Sequence, residues 1–303
     1  MAILNWNNAD DTISCVAALL AASPPPERIV IVDNGSADNS LSRIRDWLNF
    51  LQSQSEPASA PVHLVAANRN LGFAGGTNRG LEWLMNETDV SHLLILNNDA
   101  TVSKSFFADV SEAVAAVGVD SVIGPTVFED PERDKVWYAG GVEIPYRALV
   151  EHTVVQPRST APRPTDFVSG CAMIVSRGVI EKIGGLADIF FPAYFEDGDF
   201  CHRARRAGFK VMYAPKPSAY HKVGSTVRAA KLETLLAYSK SRLRVIYVRR
   251  NYSGAMKLAA LTYLGVTKPA RFVADILRGR PDEAWAILSG TSSGFFARDV
   301  RDA

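Results

Sequence analysis

Leu93-Leu94-Ile95-Leu96-Asn97-Asn98-Asp99 is the stretch that decides the architecture. Four consecutive apolar residues read as a strand buried on both faces, as in a parallel sheet covered by helices. The run stops at two amides and a carboxylate. Outward from it the same pattern recurs. Residues 28–32 are β-rich and end in Asp33-Asn34-Gly35-Ser36, followed by a helix over 40–54. Residues 62–66 are a strand ahead of Leu71-Gly72-Phe73-Ala74-Gly75-Gly76, a glycine-rich turn, with a helix over 77–87 beyond it. Residues 2–4 form a short strand and 11–22 a helix, stopped by Pro24-Pro25-Pro26. Strands alternating with helices make βαβ units. Polar residues gather after the carboxyl ends of successive strands, the edge where open parallel sheets bind ligands.

The remainder is less regular. Strands are expected over 122–127, 167–175 and 210–214, and a hairpin over 135–155 with turns at Gly140-Gly141 and Pro145. Residues 177–183 read as a short helix, and another begins at Asp197 or Asp199 and ends near Gly208. From residue 231 the pattern is helical. The fold class is α/β: a mainly parallel, Rossmann-like sheet flanked by helices, with a helical C-terminal appendage. The expected divisions are a nucleotide-binding half over 1–100, an acceptor and catalytic half over 101–230, and the appendage over 231–303.

Composition narrows the function. With 47% apolar and 21% charged residues the chain is neither a disordered nor a membrane-embedded protein. A net charge of +1 makes no case for nucleic acid. The charge is uneven, however: between Lys222 and Arg280 the only acids are Glu233 and Asp275. Cys15, Cys171 and Cys201 are far apart and lack C-x-x-C spacing, which argues against zinc or a disulfide framework and for a reducing compartment. The N-terminal residues predict no signal peptide. The longest apolar run, 258–266, falls short of the roughly 20 residues that span a bilayer. The expected location is cytoplasmic, with any membrane contact made from the surface at the inner face.

Three polar clusters can carry chemistry. Asp33 stands at a strand edge, where a carboxylate accepts hydrogen bonds from a nucleobase or ribose; the competing role is turn and helix capping, which suits Asp38 better. Asp99 can supply oxygen to a hard divalent cation bridging a diphosphate, with Asn98 on the ribose, or simply close a turn. Glu196-Asp197-Gly198-Asp199 follows Phe190, Phe191, Tyr194 and Phe195. Helix-dipole stabilisation explains one or two of these acids, whereas a general base for an acceptor hydroxyl gives a reason for the cluster. His221 is a plausible further metal ligand, and Lys222-Val223-Gly224-Ser225-Thr226 with Arg228 can close over a diphosphate. The glycines of 72–76 lack G-x-G-x-x-G spacing and follow the third strand, so a dehydrogenase is rejected. Asn5-Trp6-Asn7-Asn8-Ala9-Asp10 has no glycine-rich basic loop, which argues against a nucleotidyltransferase.

The ordered set of motifs resembles the family 2 glycosyltransferases, in their rhamnosyltransferase-like branch. It comprises Leu4-Asn5-Trp6-Asn7, Val32-Asp33-Asn34-Gly35-Ser36, Asn68 through Asn78, Leu96-Asn97-Asn98-Asp99, Ser169-Gly170-Cys171, Phe195 through Asp199 and His221 through Ser225. The resemblance implies a GT-A fold, an inverting mechanism and Mg2+ or Mn2+. It also implies a nucleotide diphosphate sugar, dTDP- or UDP-linked, as donor. Asp197 is then the catalytic base, and Asp99 and His221 hold the metal. Asn5, Asn7, Asp33, Asn34, Arg69, Gly72, Asn78, Asn98, Lys222 and Ser225 surround the nucleotide. Gly170, Cys171, Glu196 and Asp199 lie on the acceptor side, where a glycan or lipid-linked saccharide binds. One departure stands out: Asn97-Asn98-Asp99 retains a single carboxylate of the D-x-D pattern. The basic residues Arg242, Arg249, Arg250, Lys257, Arg271, Arg278 and Arg280 suggest a surface that docks on anionic lipid.

Overall fold

The computed structural model describes residues 1–54, 59–223 and 233–297. Strands β1 (Ala2–Asn5), β2 (Ile29–Asp33), β3 (Val62–Ala66) and β4 (His92–Asn97) pair in parallel in the order β3-β2-β1-β4. Helices α1 (Ala9–Leu20), α2 (Ser40–Gln52) and α3 (Gly72–Glu87) connect them. Register sets the functional edge: Asn5 lies opposite Asp33, and Leu4 lies between Val32 and Asn97. The polar residues that end three strands are thereby levelled along one rim.

Past β4 the sheet becomes mixed. β5 (Ala100–Val102) precedes α4 (Phe106–Val117) and the long β6 (Ser121–Glu129). β7 (Val136–Tyr138) pairs with β6, while β8 (Gly141–Ile144) and β9 (Leu149–His152) form a separate hairpin around the Pro145–Arg147 turn. β10 (Arg163–Pro164) leads to β11 (Ala172–Ser176), which runs antiparallel between β4 and β6. Then come α5 (Arg177–Ile183), α6 (Glu196–Arg206) and β12 (Lys210–His221), the last parallel to β6 and antiparallel to β5.

Alternation along the strands divides the core in two. Ile3, Ile29 and Ile31 pack with Cys15, Leu19, Ile44 and Phe106 from α1, α2 and α4. Ala2, Val30 and Val32 pack with Leu81, Leu84, Val179 and Phe200 from α3, α5 and α6. Gly76 lets α3 approach β1, since a Cβ there would lie 2.4 Å from Leu4 Cδ1.

The C-terminal helical region comprises α7 (Glu233–Asn251), α8 (Gly254–Leu277) and α9 (Pro281–Phe296). It has a third apolar cluster, in which Leu243, Ile246 and Tyr247 meet Phe190, Ala187 and Leu264. Polar ties reinforce the junction. Glu143 accepts from Tyr247 Oη at 2.6 Å, from Arg205 at 2.7 Å and from Tyr252 Oη.

Four segments differ from the sequence reading. The glycine-rich turn is the first turn of α3, entered at Gly72 with φ +74°. The strand expected over 167–175 is confined to Ala172–Ser176, and 167–171 crosses toward α6 as irregular chain. Residues 136–138 join the main sheet, so the hairpin turns only at Pro145. The strand expected to stop at 214 continues to His221 through a register shift between Tyr213 and Ser218. Pro215 and Pro217 suggest a break there, and the irregularity absorbs them. Four of the cations assigned to a lipid-facing surface make internal bonds. Arg249 donates to the Gly294 and Ala297 carbonyls, Arg250 to Asp199, Lys257 to the Arg249 carbonyl, and Arg271 to Asp275 and Glu283.

Candidate active site

The β1–β2 rim is a hydrogen-bonded frame. Asn5 and Asp33 are almost wholly buried, and Asn5 Nδ2 donates to Asp33 Oδ2 at 2.7 Å. Ser36 donates its amide to Asp33 Oδ1 and its hydroxyl to Oδ2. Thr12 donates to Asn5 Oδ1, and Asn98 Nδ2 donates to Thr12 Oγ1 at 3.0 Å, so the amide beside Asp99 is tied into the same frame. Asn7 Oδ1 accepts from the Ala37 amide at 2.8 Å. Asn34 donates to the Gly72 carbonyl and accepts from the Leu71 amide, fixing the entry to α3.

Other predicted residues are arranged around that frame. Arg69 is exposed, and its backbone passes so close to Gly35 that a Cβ at Gly35 would lie 2.4 Å from the Arg69 carbonyl carbon. Gly72 lies under Phe191 and Pro192, whose carbonyl accepts from Phe73 N at 2.7 Å. Asn78 is engaged on the far side of α3: it donates to the Leu186 carbonyl at 2.7 Å and to Asp188, and accepts from Leu186 N. Lys222 bonds Asp11 at 2.7 Å. Ser225, and the closing segment over 224–228, lie outside the described residues.

β4 and β12 bring the metal-ligating candidates together. Asp99 Oδ1 and His221 Nε2 are 3.1 Å apart and both side chains are nearly buried. Pairing of His221 with Ala100 delivers the imidazole beside Asp99 across more than 120 residues of sequence. Burial works to lower the imidazole pKa, but Cys171 and Asp99 outweigh it and carry it to about 11. The Trp137 ring stands edge-on to His221 at 4.8 Å. Among the described residues no group of three or more His, Cys, Asp or Glu side chains could hold a metal. A bound cation would displace the imidazole proton, and one carboxylate with one imidazole then fits a cation that takes its other ligands from a diphosphate and water.

The acidic cluster is resolved by burial. Asp199 is fully buried and neutralised by Arg203 at 2.7 Å and Arg250 at 2.9 Å, with Asn251 also donating to it. Glu196 is buried, and its Oε2 has no hydrogen-bond partner among the described residues. Desolvation, then the neighbouring Asp197 charge, pushes its carboxyl well above the usual range. Asp197 alone of the three is half-exposed. Its Oδ2 accepts from Gly170 N at 3.0 Å and its Oδ1 from Gly198 N at 2.8 Å. The chain enters α6 through Tyr194 and Phe195, both left-handed at φ +92° and +73°. Two successive aromatic residues in that region store strain, which proteins keep mainly where geometry serves function.

Gly170 and Cys171 join the two halves. Gly170 holds Asp197, and Cys171, one residue on, is the neighbour that raises His221. The sequence pattern carried no sign of Trp137 or Asn251 and assigned Arg250 to a lipid-facing surface, because their roles arise from contacts made over long separations. Ser36 was visible as part of the β2 motif. An open cleft of about 590 Å³ lined by Gly140, Thr165, Asp166 and Arg205 contains none of the candidate residues.

Comparison with known proteins bears on the family and the fold. Residues 2–184 match the family described as Glycosyl transferase family 2. The low-salt glycan biosynthesis hexosyltransferase Agl10 of Haloferax volcanii is 24% identical over 72% of this chain, which spans 65% of that relative's length. The N-acetylglucosaminyl-diphospho-decaprenol L-rhamnosyltransferase of Mycobacterium tuberculosis is 23% identical over 79% of this chain and 80% of its own. The mannosyltransferase PcManGT of Pyrobaculum calidifontis, solved with GDP-Man and Mn2+, shares the fold. Its TM-score is 0.60 at 13% identity, over 98% of this chain and 87% of that one.

Proposed function

The chain belongs to glycosyl transferase family 2, and from that premise we propose that it is an inverting, metal-dependent transferase with a nucleotide diphosphate sugar as donor. The observation that carries the reading is the meeting of Asp99 and His221 at 3.1 Å, beside a second candidate, Asp197, whose carboxylate the Gly170 amide holds at 3.0 Å. On this reading the donor's diphosphate lies at that pair and its anomeric carbon faces the half-exposed carboxylate of Asp197. Asp99 and His221 are the residues to hold Mg2+ or Mn2+, which when bound offsets the charge developing on the diphosphate.

Asp197 takes the proton of an acceptor hydroxyl as that oxygen attacks the anomeric carbon. The bond from the sugar to the diphosphate oxygen breaks, and the nucleoside diphosphate leaves. One displacement inverts the configuration. Gly170 N and Gly198 N orient the carboxylate for this task. Asn5, Asp33 and Asn34 act by fixing the nucleotide rim, and Arg69 and Lys222 present cations beside it. The donor sugar we favour is L-rhamnose, which the M. tuberculosis relative's name supports, and dTDP is the carrier that the motif resemblance implies, with UDP as the alternative. The acceptor class is a glycan or lipid-linked saccharide in cell-surface polysaccharide synthesis.

Calorimetric titration with dTDP and UDP, each with and without manganese, tests the reading, with Asp99→Ala as control. Manganese-dependent binding that is lost in Asp99→Ala supports it, and the tighter nucleotide identifies the donor. Folded protein that binds neither nucleotide in the presence of manganese overturns it.

A further inference from the structure

Helix α8 buries Ala260 and Leu264 against the protein but carries a second apolar face outward. A helix packed on a globular protein ordinarily buries its apolar stripe and exposes its charges. Here Leu258, Val266, Val273 and Leu277 recur at helical spacing on the outward side and are 56–82% exposed. Ala255, Ala259, Thr262 and Ala270 fill the same exposed face, on which Thr262 is the one polar side chain. The charged groups point the other way. Lys268 and Asp275 are buried against the protein, and Lys257 donates to the Arg249 carbonyl. The 24 residues form an apolar ridge about 36 Å long at 1.5 Å per residue.

We propose that this ridge is a membrane-surface element: α8 lies in the plane of an anionic lipid bilayer, its outward face among the acyl chains. Three observations select lipid as the occupant. The exposed charges from Gly254 to Arg280 are Arg271, Arg278 and Arg280, all cationic, and the only acid in that stretch is the buried Asp275. Arg271 pairs with Asp275 and Glu283, and Arg278 with Asp275, but the segment from Gly254 to Glu283 keeps a net positive charge, which an anionic headgroup layer attracts and a second copy of the chain repels. Trp285 is 60% exposed beside the ridge, packed edge-on to Phe272 at 4.8 Å, and indole is the side chain that suits a headgroup boundary. Finally, no described helix is long and apolar enough to cross a membrane, and an apolar face with basic flanks is the pattern of a helix lying on one. Asp282 and Glu283 follow at the start of α9, and Glu283 is paired with Arg271 at 3.3 Å.

The surface differs from the one suggested by basic residues alone, because apolar side chains carry the contact and the cations only flank it. It does not rest on the transfer reading, since vesicle binding is measured without a sugar donor.

Flotation of the full chain with phosphatidylcholine–phosphatidylglycerol vesicles, and with phosphatidylcholine alone, tests the assignment. Wild type is expected to float with the mixed vesicles. Val266→Glu/Val273→Glu, both at exposed positions, is expected to float at least about tenfold less, as two charges leave the apolar face. A wild type that stays at the bottom of the gradient with both vesicles overturns the proposal, and so does a double variant that floats like wild type. Light scattering that shows a stable dimer, dissolved by the double variant, with no flotation, assigns the ridge to a second copy instead. Should the double variant fail to fold, the tryptophan emission of wild type decides. A blue shift on adding mixed vesicles, absent in Trp285→Phe, supports lipid contact, and no shift rejects it.

Discussion

Arg250 Nε donates to Asp199 Oδ1 at 2.9 Å, so the end of α7 grips the second turn-forming acid of the helix that presents Asp197. Asn251 joins it on the same oxygen, and Arg203 takes the other. Asp199 is fully buried, and a buried carboxylate deprived of one cation keeps its desolvation penalty while losing attraction. Arg250→Ala is expected to destabilise the fold by about 2 kcal/mol, since Arg203 remains. It should also slow transfer more than it weakens nucleotide binding. Urea unfolding and a comparison of kcat with nucleotide Kd check both. Unchanged stability would show that α7 contributes nothing to holding α6.

Asp197 and its neighbour Glu196 should respond oppositely to removal of charge. Asp197→Asn keeps an oxygen for Gly170 N but removes the base, so transfer should fall about 10²–10⁴-fold while nucleotide binding stays. Glu196 already favours its protonated form, because its folded pKa lies above the unfolded value. In the unfolded chain it ionises above about 4.5, so it works against stability as pH rises past that point. Glu196→Gln should therefore fold at least as stably as wild type at pH 7 and flatten the profile above pH 4.5. Transfer assays of Asp197→Asn and thermal melts of Glu196→Gln across pH separate a catalytic base from a buried neutral acid.

How much of this was legible depends on the distance over which each feature is built. The strand ends at Asp33 and Asp99 could be read because an apolar run and its polar terminus are adjacent in sequence. Their meeting on one rim followed from parallel pairing, which Asn5 opposite Asp33 exemplifies. The acidic cluster was legible as a cluster, but not the division of labour within it. That division depends on Arg250, Asn251 and the burial of Glu196, which are products of packing. The path of β12 was hidden by Pro215 and Pro217. The cations after Lys222 looked like one surface because sequence does not reveal which of them cap carbonyls, as Arg249 does for Gly294 and Ala297.

Gly76 tests the closeness of α3 to the sheet. A methyl added there would stand 2.4 Å from Leu4 Cδ1 and 3.1 Å from the Asn34 side chain. Both neighbours belong to the rim, so the helix must shift outward or Leu4 must leave its rotamer. Gly76→Ala should cost about 1–3 kcal/mol despite the better helix propensity of alanine. Chemical denaturation measures this. A variant as stable as wild type would mean that α3 and β1 are less tightly apposed than the geometry requires.

Glu143 should make the junction with the C-terminal helices sensitive to acid. Burial alone raises its pKa, but hydrogen bonds from His202, Tyr247, Tyr252 and Arg205 overcome that and bring the carboxyl down to about 2. A carboxylate whose folded pKa is depressed stabilises the fold above its unfolded value of 4.5 and loses that contribution as pH falls toward 2. The drop from 4.5 to about 2 corresponds to on the order of 3 kcal/mol at neutral pH. Because the donors come from α6, α7 and the segment after α7, protonation should loosen the helical region from the β8–β9 hairpin that carries Glu143 before the main sheet unfolds. Glu143→Gln is expected to be less stable than wild type at pH 7 and to lose less stability between pH 4.5 and 2. Unfolding curves at stepped pH, followed by tryptophan emission and far-ultraviolet circular dichroism, measure both effects. Parallel acid profiles for wild type and variant would remove Glu143 as the group that couples these helices to the domain.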